Sequence, residues 1–167
     1  IRKGKEFYMK CKDGNKFDEL KSPDSWVQMR LVHTEGESLA AGFCETTVDA
    51  SIEECAAYEY TKDLREKLAG LKKRRVIEQQ IKKLNEHSQL YLNARNLGII
   101  GFSDRVWKMK CTWKKEGDKI WVAYEDTREL DKGFPLKQGS ILASAKTTWL
   151  FEAIDPIGGV KQTRVSY

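Results

Sequence analysis

The sequence has no long apolar segment. Its longest apolar runs fall far short of the ~18 residues that a membrane-spanning helix needs, and its first residues, Ile1–Lys5, lead into more charge. We therefore expect neither a transmembrane helix nor a secretory signal peptide. Hydrophobic residues make up 40% and charged residues 33% of the 167 positions. This composition predicts one soluble, folded domain of ordinary size.

The sequence also lacks the ligand spacing of a metal site. Its four cysteines form no C-x-x-C pair, and its only two histidines, His33 and His87, stand far apart. Zinc sites usually draw their ligands from close pairs. We therefore predict no metal and no cofactor, and we interpret the cysteines as reduced, mostly buried thiols of a cytosolic protein. They are Cys11, Cys44, Cys55 and Cys111.

Common catalytic motifs are missing as well. The sequence contains no G-x-S-x-G, no P-loop and no G-x-G-x-x-G. The carboxylates Asp24, Asp49, Glu53 and Glu54 fall at predicted turns and helix starts, where they cap backbone amides. These observations predict that the chain is not an enzyme.

The charge is mildly basic. Thirty Lys and Arg residues against 25 Asp and Glu residues give a net charge of +5 and a pI near 8.9. This excess would help the chain approach an anionic membrane or a nucleic acid, and it identifies neither.

The first half of the chain mixes helix and strand signals. Phe17 and Leu20 have helical spacing, so residues 1–21 are predicted as an N-terminal helix or arm. Alternation predicts strands over 26–32 and 41–48, with a hairpin turn at 34–37. Ser51 to Glu54 forms a capping box that opens a helix over 52–60, and 62–68 continues as helix to Gly70. For 75–84, periodicity leaves helix and strand equally open.

The second half is predicted to be mainly β. Strands are expected over 105–113, 119–127, 141–154 and 160–167, separated by short turns. In the first of them, Trp107, Met109, Cys111 and Trp113 fall on one face and lysines on the other. Such a series of strands predicts an antiparallel meander, with the early helices covering one side.

Several segments resemble START-type lipid-transfer domains. The resemblance covers residues 22–167, and the order of the elements is more specific than any single motif. The segments are Val48–Glu54, Gly101–Arg105 followed by Trp107 and Trp113, and Trp149–Glu152 with the Pro156–Gly159 turn and Thr163–Val165.

The resemblance implies an α+β helix-grip fold, in which a curved antiparallel sheet and its helices enclose an apolar tunnel for one lipid. It also implies two strands over 75–95. Two features depart from the family. Val106 stands where an acidic residue usually follows the arginine, and the sequence ends at Tyr167, before the usual further strand and closing helix. We therefore expect a START-like domain over 22–167 that lacks its C-terminal helix, within a longer protein.

A lipid site needs a concave apolar surface and a few polar groups for the head group. The predicted ligand-binding residues are Arg105, Trp107, Met109, Cys111, Trp113, Tyr124 and Trp149. Ordinary sheet core and a surface ion pair of Arg105 are the alternative interpretations of these residues. The basic run Lys72, Lys73, Arg74 and Arg75 is predicted either to contact an anionic membrane or to be a solvated helix end.

We therefore expect a cytoplasmic lipid carrier or sensor with peripheral membrane contact. Its ligand would be a sterol, phospholipid or fatty-acyl lipid, and no nucleic acid is expected. Two alternatives stay open: an enzyme on the same fold, since a fold does not exclude catalysis, and a nucleic-acid or protein-binding β domain. The latter would use the basic face of Lys108, Lys110, Lys114 and Lys115.

Overall fold

A computed structural model of the chain describes residues 1–33 and 39–167. In these residues the helices are α1 (Arg2–Lys12), α2 (Ile52–Tyr60) and α3 (Arg65–Ala69). The strands are β1 (Phe17–Leu20), β2 (Gln28–Val32), β3 (Ala41–Val48), β4 (Val76–Asn85), β5 (Ser88–Arg95), β6 (Arg105–Glu116), β7 (Lys119–Asp126), β8 (Ile141–Leu142), β9 (Thr147–Ile157) and β10 (Val160–Ser166). The predicted α+β class is confirmed.

The strands form one ten-stranded antiparallel sheet in the order β1-β2-β3-β10-β9-β7-β6-β5-β4, and the two-residue β8 pairs in parallel with β6. The chain divides into two compact units. Unit 1 comprises Ile1–Ala57, Lys114–Ala123 and Thr147–Tyr167, and unit 2 comprises Tyr58–Trp113 and Tyr124–Lys146. The described residues include no helix that is both long and apolar enough to cross a membrane.

In unit 1, helix α1 packs on one face of the sheet. Tyr8 and Cys11 are buried against a cluster of four apolar side chains, namely Val32, Phe43, Trp121 and Leu150. The Tyr8 hydroxyl lies 2.6 Å from Ser166 Oγ. Gly4 allows α1 to lie close to the sheet, because a Cβ at this position would lie 2.8 Å from Thr148 Oγ1 and 3.0 Å from Ala123 Cβ.

The start of α2 follows its predicted capping box. The Ser51 amide donates to the Glu54 carboxylate at 2.8 Å, and the Glu54 amide donates to Ser51 Oγ at 3.3 Å. These bonds satisfy two amides that a helix start would otherwise leave without acceptors. Both predicted helical segments are present, with α2 ending at Tyr60 and α3 beginning at Arg65.

In unit 2, the two faces of strands β5 and β6 differ in character. On one face an apolar cluster is covered by Leu130 and Phe134. It consists of Leu90, Leu92, Ala94 and Val106. On the other face the alternating residues of β5 are polar or aromatic: Gln89, Tyr91 and Asn93 are buried and Arg95 is half-buried.

Several sequence predictions need correction or completion. Residues Phe17–Leu20 form a strand, not a helix, and pair with β2 from Phe17↔Val32 to Leu20↔Met29. The strand predicted over 141–154 is interrupted, because the Asp126 carboxylate accepts hydrogen bonds from Ser144 Oγ and the Ala145 amide. The two strands implied over 75–95 are confirmed as β4 and β5. The predicted turn at 34–37 lies outside the described residues.

Candidate functional site

The five predicted ligand-binding residues of β6 lie on one face of that strand. Cys111 is fully buried, and the other four are half-buried: Arg105, Trp107, Met109 and Trp113. Burial raises the pKa of the Cys111 thiol to about 12, so this group stays protonated. The face therefore presents aromatic and thioether surface with a neutral thiol in its middle.

Tyr124 lies beside Cys111 and takes part in a buried polar cluster. Its hydroxyl donates to Glu59 Oε1 at 2.8 Å, and Lys62 Nζ lies 2.6 Å from the same carboxylate oxygen. The Lys62 and Glu59 side chains are only 13% and 19% exposed. Lys62 Nζ also lies 4.7 Å from the centre of the Tyr124 ring. Burial raises the pKa of Tyr124 well above its ordinary value, so the phenol remains a neutral donor.

Two buried polar groups of unit 2 have no hydrogen-bond partner among the described residues. They are the Asn93 amide nitrogen and the Tyr60 hydroxyl. Asn93 is 2% exposed, and its carbonyl oxygen accepts from Arg95 Nε at 2.8 Å. Because an unpaired buried donor costs free energy, these groups mark where an additional acceptor would be stabilised.

Two predicted aromatic residues have local contacts that fix their positions. Trp113 Nε1 donates to the Glu86 carbonyl at 2.8 Å, and its ring lies 4.5 Å from that of His87. In unit 1, the Trp149 ring stacks on Tyr167 at 4.0 Å and lies parallel to Phe151 at 6.1 Å. Trp113 is thus held by the β4–β5 turn, whereas Trp149 belongs to an aromatic stack on β9.

The basic run is attached to an apolar loop that sequence reasoning did not single out. Arg75 Nη1 donates to the Leu97 carbonyl at 2.7 Å, and its guanidinium occupies the space beside Gly98, where a Cβ would lie 1.3 Å from Nη1. Gly98 also has φ +66°, a conformation that favours glycine. The following loop exposes three large apolar side chains, Ile99, Ile100 and Phe102. In the sequence this loop is recognisable as apolar residues next to the glycines Gly98 and Gly101.

The lysines of the alternative nucleic-acid face all have acidic partners. Lys108 pairs with Asp131, Lys110 with Glu129, Lys114 with Glu116 and Lys115 with Glu53 at N–O distances of 2.6–2.8 Å. Lys108 is also buried, and its hydrogen bond lowers the pKa of the Asp131 carboxyl. These pairs neutralise the face that phosphate binding would need.

A separate cavity of about 720 Å³ lies in unit 1 beside the C-terminal end of α1. Arg30, Phe17 and Phe43 are among its lining residues, and the Arg30 guanidinium lies 5.0 and 4.6 Å from the two rings. None of the predicted ligand-binding residues lines it. Among the described residues, no group of three or more His, Cys, Asp or Glu side chains could hold a metal ion.

Comparison with solved structures places this arrangement in a known fold. A STAR-related lipid transfer protein fragment from Xanthomonas axonopodis superposes with a TM-score of 0.68 at 17% identity, over 90% of this chain and 78% of that one. Human STARD10 gives 0.71 at 15% identity, over 99% of this chain and 64% of that one. Human StAR-related lipid transfer protein 5 gives 0.71 at 14% identity, over 99% and 76%. The chain has a START-like fold.

The structure comparison confirms the START resemblance of the sequence. No protein-family model matches the sequence, and no curated protein matches it either. The chain spans 64–78% of the solved START domains it resembles. At these identities the comparison establishes the architecture of a lipid-transfer domain, and the ligand has to be argued from the residues.

Proposed function

We propose that this chain binds a hydrophobic lipid on the sheet face that carries Trp107, Met109 and Cys111, and acts as a lipid carrier or sensor rather than an enzyme. The observation that carries the proposal is the match to several lipid-transfer domains at TM-scores of 0.67–0.71. The half-buried Trp107 and Met109 support it, because they leave apolar surface for an acyl chain to cover. Burial of that chain would supply affinity at ~25 cal/mol per Å².

Lipid capture tests the proposal directly. The purified chain is incubated with a fluorescent acyl lipid, repurified and extracted with organic solvent. Lipid is expected at a fixed ratio to protein. Trp107→Asp should lower this occupancy strongly, because it puts a charge on the proposed apolar surface. Trp26→Asp is the matched control, since Trp26 is 82% exposed. A wild-type chain that retains no lipid would contradict the proposal.

We further propose that the chain meets anionic membranes through Lys72, Lys73, Arg74 and Arg75 together with the loop bearing Ile99 and Ile100. Basic residues near an anionic surface contribute ~1 kcal/mol each, and exposed apolar side chains add interfacial burial. The support is the bond from Arg75 to Leu97, which holds the basic run and the apolar loop together. The same contact would bring a cytoplasmic carrier to its donor or acceptor membrane.

Vesicle flotation separates the two contributions. Binding is expected on vesicles containing phosphatidylserine and not on pure phosphatidylcholine. The double change Lys72→Glu with Lys73→Glu should abolish binding to vesicles containing phosphatidylserine, and Ile100→Ser should weaken binding at every phosphatidylserine content. Lys110→Glu with Lys114→Glu provides a control of equal charge change. Equal losses from both charge pairs would contradict a defined contact surface.

A further inference from the structure

Two arginines stand directly opposite each other on the proposed lipid face. Arg95 is the last residue of β5, Arg105 is the first of β6, and the two are Cα partners in the antiparallel register. Both side chains lie on the face of Asn93 and Trp107, because residues two apart on a strand share a face. Like charges in directly opposite positions are destabilising unless something compensates them.

No carboxylate in the described residues compensates this pair. Neither arginine forms an ion pair there. Asp104, the sequence neighbour of Arg105, instead accepts from the Asn96 amide at 2.8 Å. Two positive charges therefore share this end of the face, and neither is within ion-pair distance of a carboxylate in the described part of the chain.

The guanidinium groups keep most of their donors. Arg95 Nε donates to Asn93 Oδ1 and Arg105 Nη1 donates to the Ser103 carbonyl, each at 2.8 Å. An arginine has five N–H donors, so most of those in the pair have no acceptor among the described residues. The Asn93 amide nitrogen, buried and without an acceptor, lies beside Arg95. Trp107 supports the same guanidinium, with its ring centre 5.8 Å from Arg95 Cζ.

We propose that Arg95, Arg105 and Asn93 bind the phosphate or carboxylate of an anionic acyl lipid, so that the ligand is a phospholipid or fatty acid rather than a sterol. This inference rests on the proposed lipid-binding function. An oxyanion would accept charge-assisted hydrogen bonds from both arginines, compensate their repulsion and satisfy the Asn93 donor. The acyl chains would then lie along Trp107 and Met109 of the same face.

The test compares two soluble lipids that differ only in the anion. Short-chain phosphatidic acid and the diacylglycerol with the same acyl chains are titrated below their micelle concentrations, which avoids membrane binding by the basic run. Wild type should bind phosphatidic acid more tightly by about tenfold or more, the size expected for hydrogen bonds to a charged group. Inorganic phosphate alone should bind much more weakly than phosphatidic acid.

Variants then assign the preference to this pair. Arg95→Gln and Arg105→Gln should each lower the affinity for phosphatidic acid much more than the affinity for diacylglycerol, and so remove most of the preference, and Arg105→Lys should restore part of it. The matched control is Arg128→Gln, because Arg128 is 80% exposed and pairs with Asp131. Without ligand, Arg105→Gln should melt no lower than wild type, since it relieves like-charge repulsion; a purely structural arginine would lower the melting temperature.

The outcomes separate this inference from the function beneath it. Equal binding of both lipids by wild type, or an unchanged preference in the variants, overturns the anion site and leaves lipid binding intact. Inorganic phosphate that binds as tightly as phosphatidic acid shows a free-phosphate site and overturns the lipid assignment. Failure to bind either lipid overturns the proposed function and this inference together.

Discussion

The two faces of β5 and β6 in unit 2 are made by alternate residues of the same strands, yet one face buries apolar side chains and the other buries polar and aromatic ones. Leu92 and its neighbours form an apolar cluster covered by Leu130 and Phe134. One residue further along, Asn93 is equally buried, but its amide nitrogen has no hydrogen-bond partner among residues 1–33 and 39–167. The apolar face buries its side chains against one another, whereas the polar face has a buried donor that no described residue accepts from.

The largest expected effect comes from truncating one residue on each face. Leu92→Ala removes buried apolar surface and leaves a cavity, so we expect it to lower the free energy of unfolding by about 2–5 kcal/mol. Asn93→Ala should cost under about 1 kcal/mol, because it also removes an unsatisfied buried donor. Chemical denaturation of both variants checks the contrast. Similar losses from the two changes would show that the polar face is ordinary core.

The contrast between faces was only partly accessible from the sequence. Alternation placed Trp107, Met109 and Cys111 on one side of β6, because a strand has a fixed two-residue period. Arg95 was missed because its position opposite Arg105 depends on the register between two strands, which alternation within a single strand does not specify. The polar cluster was missed for a similar reason, since Glu59 and Lys62 come from a helix end far from Tyr124 in sequence.

Short and interrupted elements were the other weakness of sequence reasoning. The four residues of β1 contain too few alternations to separate a strand from a helical turn. The break between β8 and β9 depends on a single carboxylate, Asp126, that binds Ser144 and Ala145 from another part of the chain. Tertiary contacts of this kind leave no local pattern.

A second prediction concerns the ion pair on the polar face. Glu59→Gln keeps the shape and the acceptor for Tyr124 but leaves Lys62 without its counter-charge in a site where that side chain is 13% exposed. We expect a loss of roughly 2 kcal/mol in the free energy of unfolding, because an isolated buried charge is costly. Glu129→Gln is the control: its pair with Lys110 is exposed and should be worth under about 1 kcal/mol. Equal effects in thermal or chemical unfolding would show that the Glu59 pair is no more important than a surface contact.

The smallest effect expected is a pH dependence of stability due to Lys67 of α3, which donates to the Glu59 carbonyl. Burial, followed by the charge of Lys62, lowers the pKa of the half-buried Lys67 to about 8, whereas a lysine in the unfolded chain titrates near ~10.4. Between these values the unfolded chain binds more protons than the folded one, so this group makes stability rise with pH from about 8 and level off above ~10.4.

Lys67→Met should remove that rise and melt a few degrees higher than wild type at neutral pH, where the charged lysine is penalised. Leu92→Ala should lower the melting temperature at every pH and keep the wild-type slope over this range, since it leaves Lys67 in place. Melting temperatures measured across this range would contradict the distinction if Lys67→Met kept the wild-type slope.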